Sequence, residues 1–189
     1  VWLTEREADA HSFVSAPGVQ EGVQQLALLS KDSATPVQNF VTSSAAAQVR
    51  DFLEPFMAAQ RYEDYLVISP DRRILAASNP ANVGLYAPSN YDAFLRRSLA
   101  GQTTVSRPFL CEILVGSGRL VPAMFAAAPA VQYETNVIAV LALRMRPEGE
   151  FSRILGAARV GESGEAFAFG RDGVMLTASR FEDDLRALR

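Results

Sequence analysis

Side chains that could do acid–base, nucleophilic or metal chemistry are few in this sequence. His11 is the only histidine and Cys111 the only cysteine, and they lie far apart along the chain. A metal site or a Ser-His-Asp triad needs several such groups at one point. We therefore expect His11 to be a solvated residue on a helix face and Cys111 to be a buried or loop thiol. The sequence predicts no catalytic activity, no metal site and no cofactor.

Two pairs of glycines resemble phosphate-binding loops only superficially. Neither Gly116 with Gly118 nor Gly161 with Gly164 is followed by the Lys-Ser/Thr ending of a phosphate loop, and neither opens a helix directly after a strand. We interpret the first pair as a loop and the second as the end of a helix followed by a turn.

The bulk composition is that of a folded domain without a nucleic-acid partner. Hydrophobic residues make up 49% of the 189 residues, charged residues 21%, and the net charge is −3. Nucleic-acid binding favours a basic patch, which this balance argues against. The most apolar run, Val121 to Val131, is too short to span a membrane and contains two prolines. Any membrane anchor is expected to lie outside this piece.

The first 60 residues have the pattern of helices. Pro17-Gly18 should interrupt the first helical region, and Pro36 at a first helical position, after the candidate N-cap Thr35, predicts the start of a second helix. That helix carries an apolar stripe from Val37 to Phe56, and Pro55 should end or kink it near Glu54. A stripe of this kind needs a partner, which is either the sheet of the same chain or a second chain.

The pattern then changes to strands. Residues 65–68 and 74–78 flank the turn sequence Ser-Pro-Asp-Arg and predict a hairpin. A short helix follows at 91–100, with Gly101 as its stop. Strand candidates at 103–110, 121–131 and 136–146 complete a five-stranded antiparallel sheet with helices packed on it, which is an α+β fold. Pro147 opens a further helix.

An internal repeat suggests a second, incomplete module. Residues 65–78 (YLVISPDRRILAAS) match residues 166–179 (AFAFGRDGVMLTAS) at four positions, and each copy follows an amphipathic helix. The alternative is that any two hairpins look alike. We favour two tandem modules.

The chain resembles double Cache sensor domains. GESGEAFAFGRDGVMLTASRF (161–181) resembles their second-module signature, VPAMFAAAPAV with NVIAVLALRM resembles the last two strands of their first module, and LEPFMAAQRYEDYLVISPDRRILAAS resembles their long helix running into the first hairpin. The resemblance implies a PAS-like five-stranded antiparallel sheet with a long N-terminal helix, followed by a partial second PAS-like module. It implies a helical region at 1–60, a membrane-distal module at 61–146, and a linking helix with an incomplete second module at 147–189.

The resemblance also implies a function. Such domains lie on the extracytoplasmic, periplasmic side of the cell membrane and sense small molecules for a histidine kinase, Ser/Thr kinase, cyclase or chemoreceptor. Amino-acid-binding members share an Arg-x-Trp-Tyr stretch, which is absent because no tryptophan follows Trp2. We expect a homodimer through the N-terminal helices.

PAS-like modules hold ligands between the sheet and the loop and helix that follow the first hairpin. In this chain those segments supply Tyr86, Tyr91, Arg107 and Met124 as candidate ligand-binding residues. The planar guanidinium of Arg107 suits a carboxylate, and the tyrosines offer an apolar wall with a hydroxyl. Each of these residues could instead have a purely structural role, at the start of a helix, on the surface of a strand or in the hydrophobic core.

Two other functions stay open at this point. The chain could be a structural or protein-interaction module of a membrane protein that binds no small molecule. It could also be a cytoplasmic PAS-type cofactor domain, although His11 and Cys111 are poor axial ligands for haem.

Overall fold

The computed structural model describes residues 2–32, 34–133, 135–156, 167–169 and 173. Its helices are α1 (Trp2–Ser15), α2 (Pro17–Leu29), α3 (Val37–Val41), α4 (Ser44–Ala59), α5 (Asp92–Leu99) and α6 (Pro147–Gly156). Its strands are β1 (Asp64–Ile68), β2 (Ile74–Ala77), β3 (Thr104–Val105), β4 (Phe109–Glu112), β5 (Leu120–Gln132) and β6 (Asn136–Met145). Most of the predicted second hairpin, at 166–179, lies outside the described residues.

The N-terminal helices begin and break where local chemistry changes. Pro17 opens α2 directly after α1 ends, as predicted. The predicted second helix is split, because the Ser43 hydroxyl accepts a hydrogen bond from the Ala46 amide at 3.0 Å and so caps a new helix, α4. Helix α4 continues through Pro55 to Ala59 and does not end at Glu54. Pro55 removes only the bond its own nitrogen would donate, while buried side chains on both sides of it hold the helix on the protein.

In the part of the chain that the structure describes, six strands form one antiparallel sheet. Five of them follow the order β2-β1-β6-β5-β3, and β4 also pairs with β5. The predicted single strand at 103–110 is two strands in the structure, since Pro108 lacks the N–H needed to continue the ladder. The long strand β5 pairs with both pieces and with β6. The predicted α+β PAS-like class is confirmed, with six strands in place of five.

The two faces of the sheet carry different helices. Residues of α4 border Tyr65, while Phe94 of α5 stacks on Phe125 at 5.1 Å between ring centroids. Tyr65 pairs with Leu143, and Phe125 pairs with the next residue, Arg144. Because successive side chains of a strand point to opposite faces, α4 borders the face of the sheet opposite to the one that α5 covers. The central strands are therefore buried on both faces and consist mostly of apolar residues.

None of the helices in the described part of the chain is long and apolar enough to cross a membrane.

Candidate functional site

A cavity of about 310 Å³ lies between α5 and the edge segment that contains β3 and β4. Four of its lining residues share one face of the helical segment: Asn90, Ala93, Phe94 and Arg97. The opposite wall comes from the edge segment and consists of Thr104, Val105, Ser106, Arg107, Pro108 and Phe109. The cavity lies beside the helix that follows the first hairpin, the region in which we expected a ligand from the sequence.

Helix α5 is held at its start by the first hairpin. Arg72, in the hairpin turn, donates two hydrogen bonds from its guanidinium to the Ala87 carbonyl, at 3.2 and 2.8 Å. Its third nitrogen, Nη1, pairs with Asp92 at 2.7 Å, and Asp92 opens α5, where a negative charge complements the helix dipole. Asn90 donates to the Leu110 carbonyl at 2.8 Å. These contacts fix α5 against β4 and so set the width of the cavity.

The floor of the cavity is aromatic. Phe94 and Phe109 line it, and Tyr91 and Phe125 pack beneath them. Ring centroids in this cluster lie 5.0–6.4 Å apart, within the range of favourable aromatic contacts. A floor of this kind offers an apolar surface for the hydrocarbon part of a ligand.

The rim of the cavity is cationic. Within the described part of the chain, the Arg107 guanidinium has no hydrogen bond or ion pair, and the Arg97 guanidinium makes only a 3.4 Å hydrogen bond to the Gln102 side chain. The acid that opens α5, Asp92, is already paired with Arg72. Two guanidinium groups without an acidic partner favour an anion between the walls.

The structure brings two of the four predicted site residues to the cavity. Arg107 lines it, and Tyr91, which is 2% exposed, lies under its floor. Burial raises the pKa of the Tyr91 hydroxyl, which stays protonated at neutral pH. Tyr86 is 63% exposed and its backbone bridges Arg73, away from the lining residues.

Met124 does not reach this cavity. It pairs with Met145 and neighbours Phe125, so strand alternation places it on the sheet face opposite α5. It is 2% exposed and belongs to the hydrophobic core. The sequence alone could not show which face of the sheet Met124 lies on. Neighbouring residues of a strand point to opposite faces, so an error of one residue in the register would place Met124 on the wrong face.

Sequence reasoning missed Arg97 and a buried polar group below the floor. Arg97 lies three residues after Phe94 on α5, a helical spacing that was available as a signal. Below the floor, Arg144 of β6 is 6% exposed and its strand partner, Asp64 of β1, is 4% exposed. A charged residue inside the run VIAVLALRM was the signal for this group.

No known protein family matches the chain by sequence, and no curated protein matches it either. Solved structures do match. An extracellular ligand-binding receptor from Desulfohalobium retbaense is similar at a TM-score of 0.51 and 14% identity, over 87% of this chain and 31% of that one. The ligand-binding domain of the Campylobacter jejuni chemoreceptor Tlp3, in complex with 4-methylisoleucine, is similar at 0.50 and 12% identity, over 95% of this chain and 71% of that one.

A further match is the sensor domain of the V. cholerae histidine kinase DctB, at a TM-score of 0.41 and 16% identity, over 58% of this chain and 40% of that domain. The chain thus spans less than half the length of two of these three structures. Identities this low show the fold alone. The chain has a fold similar to that of the receptor from Desulfohalobium retbaense and of the Tlp3 ligand-binding domain, in agreement with the fold that the family resemblance predicted.

Proposed function

We propose that this chain is the extracytoplasmic sensor domain of a transmembrane signalling receptor, and that it binds a small carboxylate in the cavity between α5 and the β3–β4 edge. The observation that carries the proposal is the pair Arg97 and Arg107, two guanidinium groups without an acidic partner in the described residues, facing an aromatic floor. The solved structures with this fold include ligand-binding domains of receptors, which supports a sensing role without catalysis.

The chemistry of the cavity matches such a ligand. Guanidinium groups donate parallel hydrogen bonds to carboxylate oxygens, and such charge-assisted bonds are about twice as strong as neutral ones. The hydrocarbon part of the ligand would lie on Phe94 and Phe109. A volume of about 310 Å³ accommodates a molecule of metabolite size.

Signalling would follow from a population shift. A ligand between α5 and the sheet edge favours the packing of α5 that places both walls against it. The coupling to an output domain can be no larger than the difference in affinity for the two packings. The receptor's output, which we propose to be a kinase, cyclase or chemotaxis type, and its membrane anchor belong to the parts of the protein beyond this domain.

Dimerisation through the N-terminal helices is part of the proposal, but the structure leaves few apolar residues on these helices for a second chain to contact. Most of the apolar stripe of α4 packs within the chain, because Val49 and Ala45 lie against Gly22 of α2. Among the described residues of the N-terminal helices, the large apolar side chains left exposed for a second chain are Leu3, Leu28, Val37 and Phe56. A protein that sediments as a monomer at high concentration would contradict the proposed dimer.

A thermal-shift screen of small carboxylates tests the binding proposal. A ligand at 100 times its Kd stabilises the native state by about 2.7 kcal/mol, which raises the melting temperature by roughly 5–10 °C. Arg97→Gln and Arg107→Gln should each weaken binding by about tenfold to hundredfold, the loss expected for hydrogen bonds between charged groups. Arg119→Gln is the matched control, because Arg119 is an exposed arginine that does not line the cavity.

The outcomes separate sensing from the alternative. If the two cavity variants and the Arg119 control bind the carboxylate with equal affinity, the ligand binds outside this cavity. If no carboxylate, amine or sugar stabilises the protein, the chain is better described as a structural or protein-interaction module.

A further inference from the structure

The cavity between α5 and the β3–β4 edge has two cationic groups, one on each wall. Arg97 lies in the last turn of α5 and donates its hydrogen bond to Gln102, just beyond the end of the helix. Arg107 shortly precedes Leu110, whose carbonyl accepts a hydrogen bond from the Asn90 side chain at the start of α5. The two guanidinium groups are therefore attached to different walls and towards opposite ends of the cavity.

The carboxylates near the cavity are already committed to other partners. Asp92 opens α5 but pairs with Arg72 at 2.7 Å. Glu112, at the end of β4, accepts hydrogen bonds from the backbone amides of Gly116 and Gly118. Neither acid lines the cavity, and no other Asp or Glu of the described residues lines it. An ammonium group in the cavity would therefore have no carboxylate partner and would be repelled by two guanidinium groups.

Most of the remaining lining is apolar. It consists of Ala93, Phe94, Val105, Pro108 and Phe109, together with three small polar side chains. A compact inorganic anion would leave this apolar surface uncovered, whereas a hydrocarbon chain that carries its charges at its ends would cover it. Removal of apolar surface from water favours the second kind of ligand.

We propose that the cavity selects dicarboxylates, with one carboxylate paired to Arg97, the other paired to Arg107, and the hydrocarbon chain on the phenylalanine rings. The inference rests on the proposed function and narrows its ligand to molecules with two acidic groups and no ammonium group. A dicarboxylate makes two charge-assisted pairs, and a monocarboxylate makes one. An amino acid places a cation against the second guanidinium group, which is a repulsive contact.

Isothermal titration calorimetry of the purified protein with three series of ligands tests this selection. The series are the dicarboxylates from malonate to adipate, the monocarboxylates of equal chain length, and the ω-amino acids in which an ammonium group replaces one carboxylate. At the best chain length, the dicarboxylate should bind about tenfold to hundredfold more tightly than its monocarboxylate, as expected for one additional hydrogen-bonded pair of charges. The ω-amino acid should bind no more tightly than the monocarboxylate.

Substitution of either arginine should abolish the selection. In Arg97→Gln and in Arg107→Gln, the dicarboxylate should bind no more tightly than its monocarboxylate, because a comparison across both ligand and residue isolates the contact between the second carboxylate and the missing guanidinium group. Arg119→Gln is the control and should keep the full preference, since Arg119 does not line the cavity.

Reversal of one charge gives a stricter test. In Arg97→Glu, the ω-amino acid should bind more tightly than the dicarboxylate, because the new carboxylate attracts the ammonium group and repels the second acid. Arg97 is exposed at the surface, so the fold should tolerate this change, which circular dichroism verifies.

Three results would overturn the inference. If a monocarboxylate binds as tightly as the dicarboxylate and both lose affinity in Arg97→Gln, the two arginines hold a single carboxylate; the proposed function then stands and the selection is wrong. If an ω-amino acid binds the wild type as tightly as the dicarboxylate, the cavity does accommodate an ammonium group. If none of the three series binds, the proposed function is wrong and the selection is wrong with it.

Discussion

The aromatic floor predicts a large and specific cost for replacing Phe125. Its ring is fully buried and lies 5.0, 5.1 and 5.7 Å from the ring centroids of Tyr91, Phe94 and Phe109. Phe→Ala in a core costs about 3–5 kcal/mol, because transfer energy is lost and a cavity remains. Three aromatic contacts are lost together, so we expect the substitution Phe125→Ala to cost about 4 kcal/mol.

Phe56→Ala is the matched control. The Phe56 ring also contacts two other rings, at 5.3 and 5.4 Å, but it is 40% exposed and lies on a helix. Solvent already fills part of its surroundings, so we expect a cost of about 1 kcal/mol or less. The same chemical change is thereby compared in a closed and an open site.

Urea unfolding followed by circular dichroism gives both values, and thermal unfolding gives a second measure. A cost of about 4 kcal/mol lowers the melting temperature of a domain of this size by roughly 8–16 °C. The reasoning is refuted if the two variants lose stability equally to within about 0.5 kcal/mol. That result would mean that the rings beneath the cavity close over the gap or were never tightly packed.

Three further substitutions have expected outcomes. Burial raises the pKa of Asp64 above its ordinary value of 3.8. The stability that goes with its protonated form is therefore complete below that value and is lost as pH rises through the folded pKa. Asp64→Asn should flatten this pH dependence in a series of unfolding experiments that starts below pH 3.8. Ser43→Ala should cost about 1 kcal/mol in urea unfolding by removing the cap of α4, and an unchanged midpoint would show that the cap is dispensable. Gly84→Ala should destabilise the protein more than Gly101→Ala. Both glycines have positive φ, but only at Gly84 would a new Cβ lie 2.5 Å from the Val37 side chain. Equal losses of melting temperature in the two variants would contradict this.

Local sequence patterns were sufficient for the order and limits of most elements. The Pro17 break, the first hairpin, α5 with Gly101 after it, and the start of α6 at Pro147 all depend on residues close together in the chain. Turn chemistry, proline geometry and apolar spacing act over a few residues. The elements that depend on them can therefore be predicted from the sequence.

Predictions of helix ends from local sequence signals were wrong where tertiary packing determined the structure. Pro55 stays inside α4 because buried neighbours hold the helix on the protein. The break at Ser43 was not foreseen, since the apolar stripe continues across it. A propensity cost of a few kcal/mol at one residue is outweighed by packing summed over the helix.

The composition of the site was decided by strand register and helix placement. The sequence identified Arg107 and Tyr91 near the cavity, but it could not place Met124 on the opposite face of the sheet from Phe125, nor Arg97 on the same rim as Arg107. It also could not show that Asp64 and Arg144, distant in the chain, are strand partners. Residue spacing determines which side chains share a face within one element, whereas only the pairing of distant strands and the docking of α5 determine which faces meet.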